Sequence, residues 1–233
     1  MAAQFELPEA YRPVAAIGVD ARARFITRTY NHLLGAIVGF TLFEWILFST
    51  GTAESIARSL LGVNWLLVLG GFMLVSWAAS RAAMSSTSAS TQYAALAGFV
   101  VAEGIIFVPL LYIANEVAPG AIQSAALVTL LGFGGLTAVA MRTRKDFSFL
   151  GGLLRWGFVV ALLAIVGGVV FGFELGTWFS VGMVAFAGAA ILYDTSNVLH
   201  HYPEDRYVAG ALQLFASVAL MFWYVLRIFM SRD

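Results

Sequence analysis

Seven stretches of the chain are each long and apolar enough to cross a bilayer as a helix, which takes about 20 residues for a hydrocarbon layer of ~30 Å. They cover residues 29–49, 61–79, 92–114, 121–141, 149–171, 175–199 and 207–230. The polar connections between them are short, so sequential helices are expected to be antiparallel neighbours in a single bundle. No linker, low-complexity stretch or second domain interrupts the pattern. No internal repeat stands out, which argues against an inverted-repeat transporter. The pattern predicts an all-α membrane protein, a compact seven-transmembrane-helix bundle over residues 28–231, preceded by an N-terminal tail, residues 1–27. That tail carries Pro8, Arg12, Pro13, Arg22 and Arg24. It lacks the uninterrupted apolar core of a signal peptide and reads as a soluble segment rather than a cleaved leader.

Composition agrees with the pattern: 61% of the 233 residues are hydrophobic and 11% charged, with a mean hydropathy of +0.86. Soluble domains run nearer to about 45–50% apolar and 25% charged. Thirteen basic and thirteen acidic residues cancel, so no basic field points to nucleic acid. The absence of cysteine excludes disulfides, thiolate metal sites and cysteine nucleophiles.

The distribution of the basic residues sets the expected orientation, because Lys and Arg collect on the cytoplasmic side. Arg12, Arg22, Arg24, Arg28, Arg81, Arg142, Arg144, Lys145, Arg155 and Arg206 fall at one end of the bundle, and Arg58, Arg227 and Arg232 at the other. Ten against three predicts a cytoplasmic N-terminus and, with seven spans, a C-terminus outside.

Three acids lie inside the predicted spans, and an intramembrane carboxylate is a functional candidate by default. Glu44 is expected to approach the outer interface and reach water. Glu103 sits near mid-membrane, followed by Gly104 and by Pro109, whose missing amide should kink the helix; it is a candidate cavity-lining residue or interhelical hydrogen-bond partner. Asp194 is the only charged residue of its run, five positions from the end. A carboxylate there meets both desolvation and the negative end of the helix dipole, and both favour the protonated form, as a proton sensor requires. Gly182, Ala185, Ala187, Gly188, Ala189 and Ala190 permit close helix approach, so this sixth span is expected at the bundle centre. On the last span Gln213, Ser217 and Tyr224 share one face. Gln213 and Ser217 are the expected hydrogen-bond partners of Asp194. Arg81, at a comparable depth, is either its salt-bridge partner or an ordinary cytoplasmic flank.

Other chemistries find little support. His200 and His201 are adjacent and His32 is remote, so no spacing suggests a metal cage. There is no Gly-rich phosphate loop, no Gly-x-Ser-x-Gly elbow and no paired-acid arrangement, and the chain does not read as an enzyme. No cofactor is expected.

Three segments together resemble the Bax inhibitor-1 family, also called the transmembrane Bax inhibitor motif family. They are Thr27-Arg28-Thr29-Tyr30-Asn31-His32-Leu33-Leu34, Thr143-Arg144-Lys145-Asp146-Phe147-Ser148-Phe149-Leu150-Gly151-Gly152 and Ile191-Leu192-Tyr193-Asp194-Thr195. The last span, from Ala211-Leu212-Gln213-Leu214-Phe215 to Leu226-Arg227-Ile228, is similar too. The resemblance implies a seven-helix bundle around a central last helix, set in a bacterial inner membrane. It also implies an association with pH-sensitive calcium leak and, in animals, with suppression of cell death. In the leak-forming bacterial members two aspartates on the last two helices form a proton- and calcium-responsive dyad. Asp194 matches the first; Ser217 stands where the second is expected. Replacing a carboxylate by a hydroxyl removes the like-charge term and half of a divalent-cation site, so calcium binding is doubtful while proton sensing is retained. A family branch lacking the second aspartate includes an inner-membrane protein that restrains an FtsH-type membrane protease. The chain is similar to that branch in Asp194-Thr195-Ser196 and in its Ser231-Arg232-Asp233 ending. Two functions are therefore expected as alternatives: an ion (calcium or proton) leak centred on Asp194, or a non-conducting regulator of a membrane protease that it contacts through residues 1–25.

Overall fold

A computed structural model describes residues 13–143 and 145–231. A single 3-10 turn, Val14–Ala16, leads into eight α-helices: α1 Val19–Ser49, α2 Thr52–Leu61, α3 Trp65–Ser85, α4 Ala89–Val117, α5 Ala121–Thr143, α6 Leu150–Phe171, α7 Thr177–His200 and α8 Tyr207–Met230. All except α2 are long and apolar enough to cross a membrane, so the seven expected spans are present, with most ends shifted by a few residues and the start of α1 ten residues earlier, at Val19. Arg12, Arg144 and Arg232 of the charge tally lie outside the described residues.

Helix α2 was not expected; residues 50–60 read as a connection. Ten residues cannot span a bilayer, and the helix is amphipathic instead. It tucks Ala53 and Ala57 against the bundle and leaves an exposed Glu54–Arg58 pair one turn apart. Gly51, at φ +74°, makes the left-handed turn that separates α1 from α2. The Asn64 side chain then caps α3 by accepting the Leu66 amide at 2.9 Å.

The core is organised around the last helix. Some 72% of the apolar stretch of α8 is buried inside the protein, against 33% for α7 and 11% for α3 and α6. Helix α8 packs on α1, α3, α4, α5 and α7, whereas α6 touches α7 and α3 alone. The small residues of α7 thus mark close packing and not centrality: Ala187 is fully buried, and a Cβ on Gly188 would meet Leu136 at 3.3 Å. Phenylalanine fills the space between helices, with Phe40 edge-on to Phe107 at 5.2 Å and Phe99 edge-on to Phe215 at 6.1 Å.

The segment expected as a soluble tail, residues 1–27, is in its described part packed on the bundle. Val14 and Phe25 are core residues beside Tyr202 and Val208. The Val14 amide donates to the Tyr202 carbonyl at 2.9 Å, and Pro13 bridges to Pro203. With 31 residues, α1 is about 46 Å long and outruns the hydrocarbon layer. Its first turns therefore cover the end of α8, where Thr29 closes on Gly210.

Candidate functional site

Asp194 and Ser217 meet at the α7–α8 interface. Asp194 is 9% exposed and Ser217 7%. The Ser217 hydroxyl donates to Asp194 Oδ2 at 2.5 Å, the short distance of a charge-assisted O–H···O bond. Around them Ile191, Thr195 and Val198 are fully buried, so little besides this hydroxyl serves the carboxyl group. Beside the pair, Tyr30, Thr137 and Thr195 bring three buried hydroxyls close together without any of them reaching hydrogen-bond geometry. Sequence reasoning passed over this trio, since one hydroxyl on each of α1, α5 and α7 carries no pattern. Beyond the helix end lies the buried Tyr202, whose phenol is pushed up by burial and further by the neighbouring Asp194 carboxylate.

Gln213 and Arg81 are not among the partners of Asp194. One turn before Ser217, Gln213 has rotated toward α3 and donates to Ser80 Oγ at 3.3 Å. A helical step of 100° per residue separates positions four apart by about 40°; around a central helix, that is enough to serve different neighbours. Arg81 lies over the Trp77 ring at 5.7 Å, and among the described residues no ion pair joins it to Asp194. Of the two readings of Arg81, the geometry matches the ordinary flank.

Glu103 faces a cavity of about 920 Å³ between α3, α4, α6 and α8, which Gln213 also lines. The glutamate is 6% exposed. No hydrogen bond or ion pair reaches its carboxyl group among the described residues. Pro109 lies inside α4, which continues unbroken through it to Val117. Glu44 does not reach water as expected: both its oxygens are buried without a partner, because its side chain turns into the bundle beside Gly104 of α4 and a pocket lined by α4, α5 and α8.

A second polar cluster sits where the α5–α6 loop meets the end of α7. Asp146 Oδ1 accepts the Ser148 amide at 2.8 Å and the Ser196 hydroxyl at 3.2 Å, while Oδ2 pairs with His201 Nε2 at 2.9 Å. Ser196 Oγ in turn accepts the Phe147 amide at 2.8 Å. The Ser148 amide, helped by the Ser148 hydroxyl and His201, holds the Asp146 carboxyl down at about 2. An Asp two residues before a Ser, turning onto its own backbone, is the sequence signal for this cluster. Among the described residues no group of three His, Asp or Glu is arranged to hold a metal ion.

A family model described as inhibitor of apoptosis-promoting Bax1 matches residues 22–233. The chain belongs to the Bax inhibitor-1 family. It is 37% identical over 140 residues to an uncharacterised protein of Pseudomonas aeruginosa, covering 58% of this chain and 60% of that one. Modulator of FtsH protease YccA of Escherichia coli is 34% identical over 143 residues, 60% of this chain and 64% of YccA. Bax inhibitor 1 of Schizosaccharomyces pombe is 33% identical over 113 residues, 46% and 41%. The matched segments thus span about three fifths of the bacterial relatives' lengths. YccA is also described as an inner membrane protein. With seven spanning helices, this family member is a multi-pass inner-membrane protein.

Proposed function

We propose that this Bax inhibitor-1 family protein is a pH-responsive ion leak pathway of the inner membrane, controlled at the Asp194–Ser217 contact. The observation that carries the reading is the bond of 2.5 Å between two side chains that are both at least nine-tenths buried. A proton arriving on Asp194 removes a charge from a dry interface and adds an O–H donor to a group that keeps one accepting oxygen. The bond from Ser217 then loses its charge assistance and the new O–H needs an acceptor of its own, which loosens the α7–α8 joint. Protons suit this pair better than calcium does, since Ca²⁺ takes six or more oxygen ligands and the pair supplies one carboxylate and one hydroxyl. The test is flux from proteoliposomes under a pH step. Leak that rises with protonation and becomes pH-independent in Asp194→Asn supports the reading; flux equal to that of empty liposomes overturns it.

The 34% identity to a modulator of FtsH protease favours a second reading, in which the chain binds and restrains a membrane protease without conducting. Here the buried pair sets the shape of a protein surface. Residues 1–12, outside the described structure, are the part of the N-terminal contact segment that can be removed while sparing Val14 and Phe25. Their deletion is expected to speed turnover of membrane substrates in cells; unchanged turnover removes that contact from the reading.

A further inference from the structure

We propose that the cavity between α3, α4, α6 and α8 binds a lipophilic organic cation, with Glu103 as counter-ion and aromatic rings as walls. The proposal goes beyond the leak reading and does not rest on it. Cavity-lining residues on α3 run from Trp65 to Ser80, fifteen helical steps, so the cleft extends about 22 Å along the helix axis. At about 920 Å³ it is of small-molecule size. Its wall on the α6 side is thin, because the α6 backbone approaches that of α3 only at a few positions and stays away from those of α4 and α8. A molecule dissolved in the bilayer therefore has a side entrance.

The lining specifies the occupant. Most of it is apolar, with the Trp65 and Trp223 rings stacked at 6.0 Å and Phe107 edge-on to Trp223 at 4.9 Å. Aromatic faces attract a cation that sheds its water readily, which favours organic ammonium or phosphonium over small hydrated ions. Into this wall projects Glu103, 94% buried by its 6% exposure and without a donor. The Ser76 hydroxyl on the same lining is also buried without a partner. A desolvated carboxyl group with no donor is costly unless something pairs with it. The other charges at the cavity are Glu174 and Arg227. Arg227 is already engaged, donating to the Leu175 carbonyl at 3.2 Å and lying over the Tyr224 ring at 6.0 Å. Two carboxylates against one occupied guanidinium leave the cavity complementary to a single positive charge.

The experiment uses the full chain in lipid nanodiscs, with tetraphenylphosphonium as probe and tryptophan fluorescence as readout, because Trp65, Trp77 and Trp223 line the cavity. Saturable quenching is expected in the wild type. Affinity should fall at least tenfold in Glu103→Gln and be lost in Ala216→Phe, which fills the cleft from α8. Neutral triphenylphosphine oxide should bind the wild type at least tenfold more weakly than the cation. Absence of saturable quenching, equal affinity for the neutral compound, or undiminished binding by Ala216→Phe overturns the proposal. Displacement of the probe by millimolar calcium would reassign the site to inorganic cations and overturn it too. Should Glu103→Gln fail to fold, the charged-versus-neutral comparison on the wild type still decides. Asp194→Asn separates the two readings, since it abolishes the pH response of the leak and leaves Glu103 and the aromatic lining of the cleft unchanged.

Discussion

Asp194 and Asp146 lie at the same end of the bundle and are held in opposite ways. Asp194 is almost wholly buried and has one hydrogen-bond donor, Ser217, at 2.5 Å. Asp146 has a side chain 45% exposed and has three partners, the Ser148 amide, Ser196 and His201. Counting bonds would rank Asp146 as the more important residue. Solvent reverses the ranking, because water replaces any bond lost at Asp146, whereas a bond lost at Asp194 leaves a carboxyl group stranded in a dry interface. Ser196 joins the two regions: it is on α7 two residues beyond Asp194 and holds the loop that Asp146 organises.

The contrast is broken most directly at Ser217. Ser217→Ala removes the one donor to Asp194 among the described residues and should destabilise the bundle by about 2 kcal/mol, within the roughly 1.5–3 kcal/mol typical of bonds to charged groups. The measurement is unfolding in mixed micelles at neutral pH. A loss under about 0.5 kcal/mol would mean that water reaches Asp194 and that the two aspartates are alike.

Gly151 provides the next test, since it stands at the start of α6 between the two regions. A Cβ added there would meet Tyr193 Cε2 at 2.9 Å and its Oη at 3.2 Å, beside Asp194 in sequence. Gly151→Ala should cost about 1–2 kcal/mol by overpacking, and Tyr193→Leu in the same chain should recover most of it. If the double variant is no better than the single one, α6 is not seated on Tyr193 and the loop has no packing route to Asp194.

The pattern of apolar runs made all seven spanning helices legible, because run length against bilayer thickness is a one-dimensional question. What escaped was three-dimensional. Gly and Ala on α7 predicted centrality, yet the central helix is α8, whose larger Leu212, Phe215 and Leu226 reach out to the neighbours it packs against. Asp194 and Ser217 were legible as a pair because an isolated acid and a hydroxyl on adjacent helices have few other ways to be satisfied. Gln213 was misdirected by counting faces as two, when a helix in the middle of a bundle has one for every neighbour. The burial of Glu44 depends on α4, α5 and α8 closing around that face of α1, which a ruler of spanning length does not register. The cleft around Glu103 is built from α3, α4, α6 and α8 together, and no single stretch of sequence carries its outline.

The smallest expected effect sharpens the comparison from the exposed side. Asp146 is held at about 2 in the folded protein, against about 3.9 for a free aspartate. The folded state therefore binds fewer protons, and the contribution of Asp146 to stability is complete above pH ~4 and lost as pH falls toward 2. Solvent screening limits that contribution to less than about 1 kcal/mol. Asp146→Asn should thus be slightly less stable than wild type at neutral pH, and the gap should close as pH falls through about 2. The neutral-pH gap should also narrow in 1 M salt, where the Debye length is about 3 Å. The Ser217→Ala defect, being buried, should not respond to salt. A gap at Asp146 exceeding that at Ser217, or one that salt leaves unchanged, would show that the loop latch and not the buried pair holds this end of α7 in place.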